Sequence, residues 1–435
     1  MRGTVPDSLT PEVCLDFGKA FGTYLEGGKV VIGTDSRLSS EYIRGIFFSA
    51  LLSAGCQVID LGICPTPTVG IMVRKLRAKG GVVITASHNP LPWNGFKFMR
   101  EDGIFLNQAQ ASKLLHLENT KRFKRAPGKG LTVYPQAIDN HINAVIQNIR
   151  PAMDGLKKFK VAVDACNGAG SVALVKLLRK IGCKVFPLHC DTSCPFPRNP
   201  EPTPESLQEL CALVKSKKAD IGFALDSDAD RLAIVTEKGE AAGEELTLAL
   251  ATKYLLGNKT LHGAKKIVVA NLSTSRVLDD ICRQYDATII RTKVGEVHVA
   301  EEIKNVNALI GGEGNGGVIF PRVGYNRDSL SGSALILSYL AAAGKPVSAL
   351  IDELPHYEII KAKIECQNLT EAQTFIEKTK KKFKGNNMIL TEGIKVILPD
   401  AWIHIRPSNT EPIIRLIAEA KSKEKAEELI KIASA

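Results

Sequence analysis

One theme occurs three times along this chain, and it constrains the fold more than any other feature. An amphipathic helix ends near a Gly or Asp, and a short apolar strand follows at once. The copies span residues 47–61 (FFSALLSAGCQVIDL), 174–188 (LVKLLRKIGCKVFPL) and 277–290 (VLDDICRQYDATII). Each is preceded by a strand that ends in a polar turn: Val30-Val31-Ile32-Gly33-Thr34-Asp35, Val161-Ala162-Val163-Asp164 and Ile267-Val268-Val269-Ala270-Asn271. Strand–helix–strand units with right-handed crossovers satisfy such a pattern. The copies lie roughly 100 residues or more apart, which is the spacing of whole domains rather than of solenoid repeats. At 435 residues the chain also exceeds what one hydrophobic core can organise.

The last stretch reads differently. Trp402-Ile403-His404-Ile405-Arg406 alternates like a half-buried strand, Ile413-Ile414-Arg415-Leu416-Ile417-Ala418 reads as another, and residues 421–432 form an amphipathic helix. The expected architecture is α/β: three consecutive α/β domains of similar topology plus a smaller C-terminal α+β domain, arranged around a central cleft. The domains are placed at 1–150, 151–238, 239–354 and 355–435.

Four segments carry chemistry. In Thr85-Ala86-Ser87-His88-Asn89-Pro90 a hydroxyl nucleophile precedes an imidazole at the end of the apolar run Val82-Val83-Ile84. The Asn-Pro step cannot extend a strand or start a helix smoothly, so Ser87 is expected on a sharp loop at a strand end. Open α/β sheets gather their ligands there. The second segment is Asp226-Ser227-Asp228-Ala229-Asp230-Arg231, after the apolar run Ile221-Gly222-Phe223-Ala224-Leu225. Three carboxylates spaced two apart share one face of an extended backbone, or a loop gathers them. Each pair near 4 Å repels by about 4 kcal/mol at an effective dielectric of 20, and a divalent cation relieves that. Oxygen-only ligands indicate Mg²⁺ or Ca²⁺, and positions left for phosphate or water favour Mg²⁺.

The third segment, Gly311-Gly312-Glu313-Gly314-Asn315-Gly316-Gly317, exposes backbone to a ligand and offers Glu313 and Asn315 to hydroxyl groups. It lacks the GK[ST] ending of a nucleotide P-loop. The fourth is Arg406-Pro407-Ser408-Asn409-Thr410-Glu411-Pro412, with Arg415 beyond it. Two arginines, hydroxyls and successive backbone N–H groups describe an anion nest suited to phosphate.

These segments, in this order, resemble the α-D-phosphohexomutase superfamily of phosphoglucomutases, phosphomannomutases and phosphoglucosamine mutases. The resemblance also takes in Gly33-Thr34-Asp35-Ser36-Arg37, Asn94-Gly95-Phe96-Lys97, Asn199-Pro200-Glu201-Pro202 and Thr292-Lys293-Val294-Gly295. It implies a phosphoserine at Ser87 and Mg²⁺ held by Asp226, Asp228 and Asp230, with the serine phosphate completing the site. It further implies Lys97 as general acid/base with His88 beside it, and Arg231 and Arg2 at the reacting phosphoryl group. Glu313, Asn315, Thr292, Val294 and Gly295 would bind the sugar. Arg406, Ser408, Asn409, Thr410 and Arg415 would hold the non-reacting phosphate. Only Arg2-Gly3 corresponds to the family's first active-site run, so either the true start lies upstream or that loop is shortened and Arg2 is weakly anchored.

The implied reaction interconverts hexose or hexosamine 1- and 6-phosphates through a 1,6-bisphosphate, which also serves as activator. Glucosamine phosphate is narrowly favoured over mannose and glucose phosphates, and a catalytically impaired phosphosugar-binding homologue is the alternative from another class. A metal-dependent phosphatase is disfavoured, because the Asp226 segment lacks a DxDx[TV] nucleophile pattern. The formal charge of +11 is carried partly by residues 121–125 and 378–384, which read as solvated faces without a nucleic-acid motif. No apolar run suits a membrane span or a signal peptide, so the expected setting is cytoplasmic, as monomer or homodimer. The ten cysteines form no CxxC pattern and read as core filler.

Overall fold

The computed structural model describes residues 1–149, 153–156, 158–258, 265–366, 368–408 and 413–434. Three sheets share one plan, and the plan follows from the repeated theme. In the first, Gly28–Thr34 lies between Cys56–Ile63 and Gly80–Ile84, all parallel, and Trp93–Arg100 returns antiparallel beside Gly80–Ile84. The second repeats this with Lys160–Asp164, Lys184–Leu188, Ile221–Leu225 and the returning Leu232–Val235. The third uses Ile267–Asn271, Thr288–Thr292, Ile310–Glu313 and the returning Gly317–Ile319. The first sheet gains two edge strands, Arg2–Thr4 and Leu131–Val133.

Central strands such as Gly80–Ile84 and Ile221–Leu225 are buried along their whole length, which is why they read as continuous apolar runs rather than alternating ones. In each sheet the first strand sends its chain to one side and then across to the other. The crevice at that reversal is where ligands settle in open α/β sheets. The turn joining the third strand to its return lies at that crevice. In the three units this one turn carries Ser87, the aspartates 226, 228 and 230, and Gly314-Asn315-Gly316.

The first three units share a continuous core that includes Val31, Leu174, Phe223, Leu248 and Leu335. Helix Ser329–Ala343 runs through it, buried at Leu330, Ala334, Leu335, Ile336, Leu337 and Leu340, with the buried hydroxyls of Ser333 and Ser338 bonded back to the carbonyls of Ser329 and Ala334. The last unit has its own core, including Ile394, Val396, Ile403, Leu416 and Leu429. Its antiparallel sheet runs Glu358–Glu365, Ile413–Ala420, Ala401–Pro407, Ile394–Ile397, Asn387–Ile389, with helices Leu369–Lys382 and Lys423–Ser434. The Lys378–Lys382 part of the basic run is the last turn and a half of the first of these helices, so the structure turns that run into a helix end. No described helix is long and apolar enough to cross a membrane.

A polar joint fastens the fourth unit to the third. The buried Glu419 carboxylate accepts from Trp402 Nε1, Ser275 Oγ and the Arg276 backbone N–H. Lys395 Nζ donates to the Leu272 carbonyl and lies 4.0 Å from the centre of the Trp402 ring. His404 donates through Nε2 to the Glu392 carbonyl (2.9 Å) and accepts through Nδ1 from Ser273 Oγ (2.8 Å). Its neutral form is therefore built into the joint.

Burial pushes His404 down to about 4 from its ordinary 6.5. Between those values the unfolded chain holds a proton that the folded chain refuses, so stability falls as pH drops through that window, by about 3 kcal/mol in all. Urea melts at stepped pH should show that loss in the native protein and a flatter profile in His404→Gln, whose amide keeps one donor and one acceptor.

Candidate active site

The Ser87 loop is held by an arginine 50 residues upstream. Arg37 spends four donors on it and the fifth on Asp35: Nη2 on the Ser87 and Asn89 carbonyls (2.6 and 2.7 Å), Nη1 on those of Pro90 and Trp93 (2.7 and 2.9 Å), and Nε on Asp35 (3.0 Å). Asp35 also accepts from Thr85 Oγ1 (2.6 Å), while Thr85 Oγ1 in turn accepts from the Ser87 N–H (2.9 Å). Ser87 sits at φ 51°, a left-handed conformation that a serine keeps only when its surroundings impose it. Its side chain is buried, not presented to open solvent.

Ser87 Oγ donates to Asp226 Oδ2 at 2.8 Å. The aspartate segment is a closed turn rather than an extended strand: the Asp230 and Arg231 N–H groups fold back onto Asp226 Oδ1 (3.1 and 3.2 Å), and Ala229 is left-handed at φ 56°. One oxygen from each of Asp226, Asp228 and Asp230 lies within 4.8 Å of the others. All three side chains are fully buried. Thr66 Oγ1 donates to Asp228 Oδ2, and Lys97 Nζ lies 2.6 Å from Asp228 Oδ2 and 2.8 Å from Asp230 Oδ2. Lys97 comes from strand Trp93–Arg100.

Two oxygens in this pocket, Asp228 Oδ1 and Asp230 Oδ1, are buried with no hydrogen-bond partner. Burial first, then the charges of Asp230 and Asp228, push Asp226 well above the carboxylate range. Asp230 goes the other way: burial would raise it, but Arg327, Lys97 and Arg231 hold it far below its ordinary value. Burial would likewise lower Lys97, and Asp228 and Asp230 outweigh it, so the amine stays charged. Orphaned, buried, anionic oxygens in an all-oxygen donor set fit a hard divalent cation.

His88 accepts at Nδ1 from Arg231 Nη2 (3.1 Å), with Ser87 Oγ at 3.4 Å from the same atom. Burial and the Arg231 charge push it down to about 4, so it is neutral and carries its proton on Nε2. Arg231 Nη1 pairs with Glu201 Oε1 at 2.6 Å. Arg2 is better anchored than expected: its strand pairs with Trp93, Asn94 and Gly95, and its Nη1 donates to Asn89 Oδ1 (2.7 Å). Backbone pairing, which the short motif does not reveal, supplies that anchor.

Glu313 is not the open acceptor expected from its glycine-rich loop. Its Oε1 takes Asn271 Nδ2 (2.7 Å) and the Gly295 N–H (3.0 Å), and its Oε2 takes Arg327 Nη1 (2.9 Å). Asn315 Oδ1 is buried without a partner and faces no such competition. Thr292 Oγ1 donates to the Lys293 carbonyl (3.0 Å), and the Val294 N–H reaches Glu392 of the fourth unit (2.6 Å). Arg406 and Arg415 are direct cross-strand partners, an unfavourable like-charge pair unless an anion sits between or beside them. Arg406 Nε is buried and unpartnered, and Glu392 lies 3.7 Å from its Nη1. Ser408 is buried, its N–H bonded to the Ile413 carbonyl (2.8 Å); Asn409 and Thr410 lie outside the described residues.

Family models cover nearly the whole chain. Those described as phosphoglucomutase/phosphomannomutase alpha/beta/alpha domains I, II and III match residues 1–125, 139–239 and 243–357, and that family's C-terminal domain matches 362–432. A phosphoglucomutase/phosphomannomutase of Thermococcus kodakarensis is 39% identical over 442 residues, covering 99% of this chain and 96% of that protein. A "probable phosphoglucosamine mutase" of Methanopyrus kandleri is 36% identical over 433 residues, covering 99% of this chain and 94% of its own. A solved phosphoglucomutase/phosphomannomutase family protein from Burkholderia thailandensis superposes with a TM-score of 0.85 at 27% identity, covering 99% of this chain and 94% of that one.

Calorimetric titration with MgCl₂ should find one site, and Asp228→Asn should weaken it by at least about tenfold. Undiminished binding in the variant would move the cation away from this turn.

Proposed function

The chain belongs to the α-D-phosphohexomutase superfamily, and from that membership we propose that it moves phosphate between the 1- and 6-positions of a hexosamine through Ser87. The observation that carries the reading is the Ser87 hydroxyl held 2.8 Å from Asp226, in a pocket where two further aspartate oxygens are buried and unclaimed. Asp226, Asp228 and Asp230 would hold Mg²⁺, whose charge offsets that of the transferring phosphoryl oxygens.

The chain's own groups divide the remaining work. Arg37 fixes the loop so that Ser87 Oγ stays aimed at the reacting centre, which is most of what phosphoryl transfer asks of a protein. Arg231, turned from Glu201, brings a guanidinium to the same phosphoryl group. His88 is a poor base here, because its Nδ1 lone pair is committed to Arg231 and burial holds it neutral. Lys97, charged and bonded to Asp228 and Asp230, is the better group to donate a proton to the oxygen that leaves phosphorus and, once neutral, to take one back from the next attacking hydroxyl. Asn315, with its idle carbonyl, and the backbone at Thr292, Val294 and Gly295 are offered to the sugar. The Arg406–Arg415 pair, with Ser408, Asn409 and Thr410, is the cradle for the far phosphate.

Glucosamine phosphate is the favoured sugar, in keeping with relatives named phosphoglucosamine mutases over almost their whole length. The 39% identical relative named for glucose and mannose phosphates supports those sugars as the second reading. Incubation with glucose 1,6-bisphosphate should add one phosphoryl group to the intact protein, mapped to Ser87. Coupled assays should then rank glucosamine 6-phosphate above mannose and glucose 6-phosphates, and Ser87→Ala should lose at least about 1,000-fold in turnover. A Ser87→Ala protein that turns over like the native one would discard the phosphoserine route.

A further inference from the structure

Arg327 enters the site from the loop before helix Ser329–Ala343, and no motif in the sequence announces it. Its guanidinium meets three carboxylates from three segments: Nη2 to Asp230 Oδ2 (2.7 Å), Nη1 to Glu313 Oε2 (2.9 Å) and Nε to Glu296 Oε2 (3.0 Å). Its own N–H returns to Glu296 Oε1 (2.9 Å), so the residue is pinned at both ends. The side chain is 9% exposed. Gly317 clears its path, since a Cβ there would lie 2.1 Å from Arg327 Cδ. Asp328 fixes the backbone on the other side by accepting from Leu330 N–H (2.9 Å), Ser331 Oγ and His141 Nε2 (3.0 Å).

The planar fork therefore joins an aspartate of the cation turn to the glutamate of the sugar loop. We propose that Arg327 is a positioning residue through which cation binding and sugar binding strengthen one another, an inference that rests on the proposed mutase reading. Asp230 Oδ2 is shared between Lys97 and Arg327. A dication at the unclaimed Asp230 Oδ1 draws that carboxylate's charge away from Arg327. More of the guanidinium's charge then falls on Glu313, which holds the Gly295 N–H and Asn271 in place. A stiffer Glu313 presents a better ordered loop to the sugar, and linkage makes the effect reciprocal. A lysine, being a single point charge on a flexible stem, cannot span three carboxylates in fixed geometry.

The test measures dissociation constants on unphosphorylated protein for glucosamine 6-phosphate and for inorganic phosphate, each with and without saturating MgCl₂. Inorganic phosphate reports the direct attraction between cation and anion, which needs no sugar loop. In the native protein magnesium should tighten the sugar phosphate by at least about fivefold more than it tightens inorganic phosphate. In Arg327→Lys that excess should vanish while the inorganic phosphate ratio stays. A merely structural role would weaken both ligands and leave the excess intact. Glu313→Gln, which cuts one arm and keeps the arginine, is the second variant, and it should lose the excess too. An equal ratio for the two ligands in the native protein, or an excess that survives both substitutions, overturns the coupling while leaving the mutase reading standing. Failure of the native protein to bind either magnesium or the sugar phosphate overturns both.

Discussion

Everything at the centre of this molecule answers to one electrostatic demand: three fully buried carboxylates on a single five-residue turn. Isolated, such a turn would unfold or take up protons, because each buried charge loses several kcal/mol of hydration. The chain meets the demand from every side. Lys97 comes from the first unit and Arg327 from the third, while Arg231 extends from the end of the turn itself. Thr66 and Ser87 of the first unit bond to the carboxylates, and Ser329 of the third bonds to the Ala229 carbonyl. The turn is thus the place where three domains are tied together. The compensation is nevertheless incomplete, and the oxygens it leaves bare are those a cation would take.

Topology explains how one turn can be reached by so many partners. The three sheets repeat one strand order, so the hairpin between third and returning strands recurs at the same crevice in each. The Ser87 loop, the carboxylate turn and the glycine loop are the same structural position used three times with different residues. A crossover topology that places ligands at the strand reversal needs only to bring three such reversals face to face. The shared apolar core, with helix Ser329–Ala343 through its middle, does that.

Local chemistry was legible in the sequence wherever a short segment carries its own signal. Ser87 before His88, aspartates spaced by two, and arginines around a Ser-Asn-Thr loop can all be read without a structure. The residues that aim them cannot. Arg37 sits in a recognisable motif but 50 positions from Ser87, with no sign of its target, and Arg327 lies 97 positions from Asp230 with nothing in its neighbours to mark it. Glu313 shows the same limit: a glutamate among glycines reads as open, and the buried Arg327 bonded to it is not visible in the local sequence. In the fourth unit only the strands with strong alternation, around Trp402 and Ile413, stood out. Ile394–Ile397 and Asn387–Ile389 are too short to show a period of their own.

The fourth unit is joined by a different kind of contact, and the difference has a mechanical consequence. Its apolar core is separate from the one the other three share. Across the joint lie Glu419, Lys395, His404 and Ser273, bonded through hydroxyls, indole and backbone groups rather than packed methyls. Domain interfaces of that polar kind separate more readily than a shared core does. Glu392 extends the joint to the ligand side, reaching the Val294 N–H of the third unit and standing near Arg406 of the fourth. In the proposed reaction a bisphosphate turns around between two half-reactions, so its cradle must let go without disturbing the aspartate turn. Arg406 and Arg415 stand on a unit whose own core is separate from the shared one among the described residues, which meets that need.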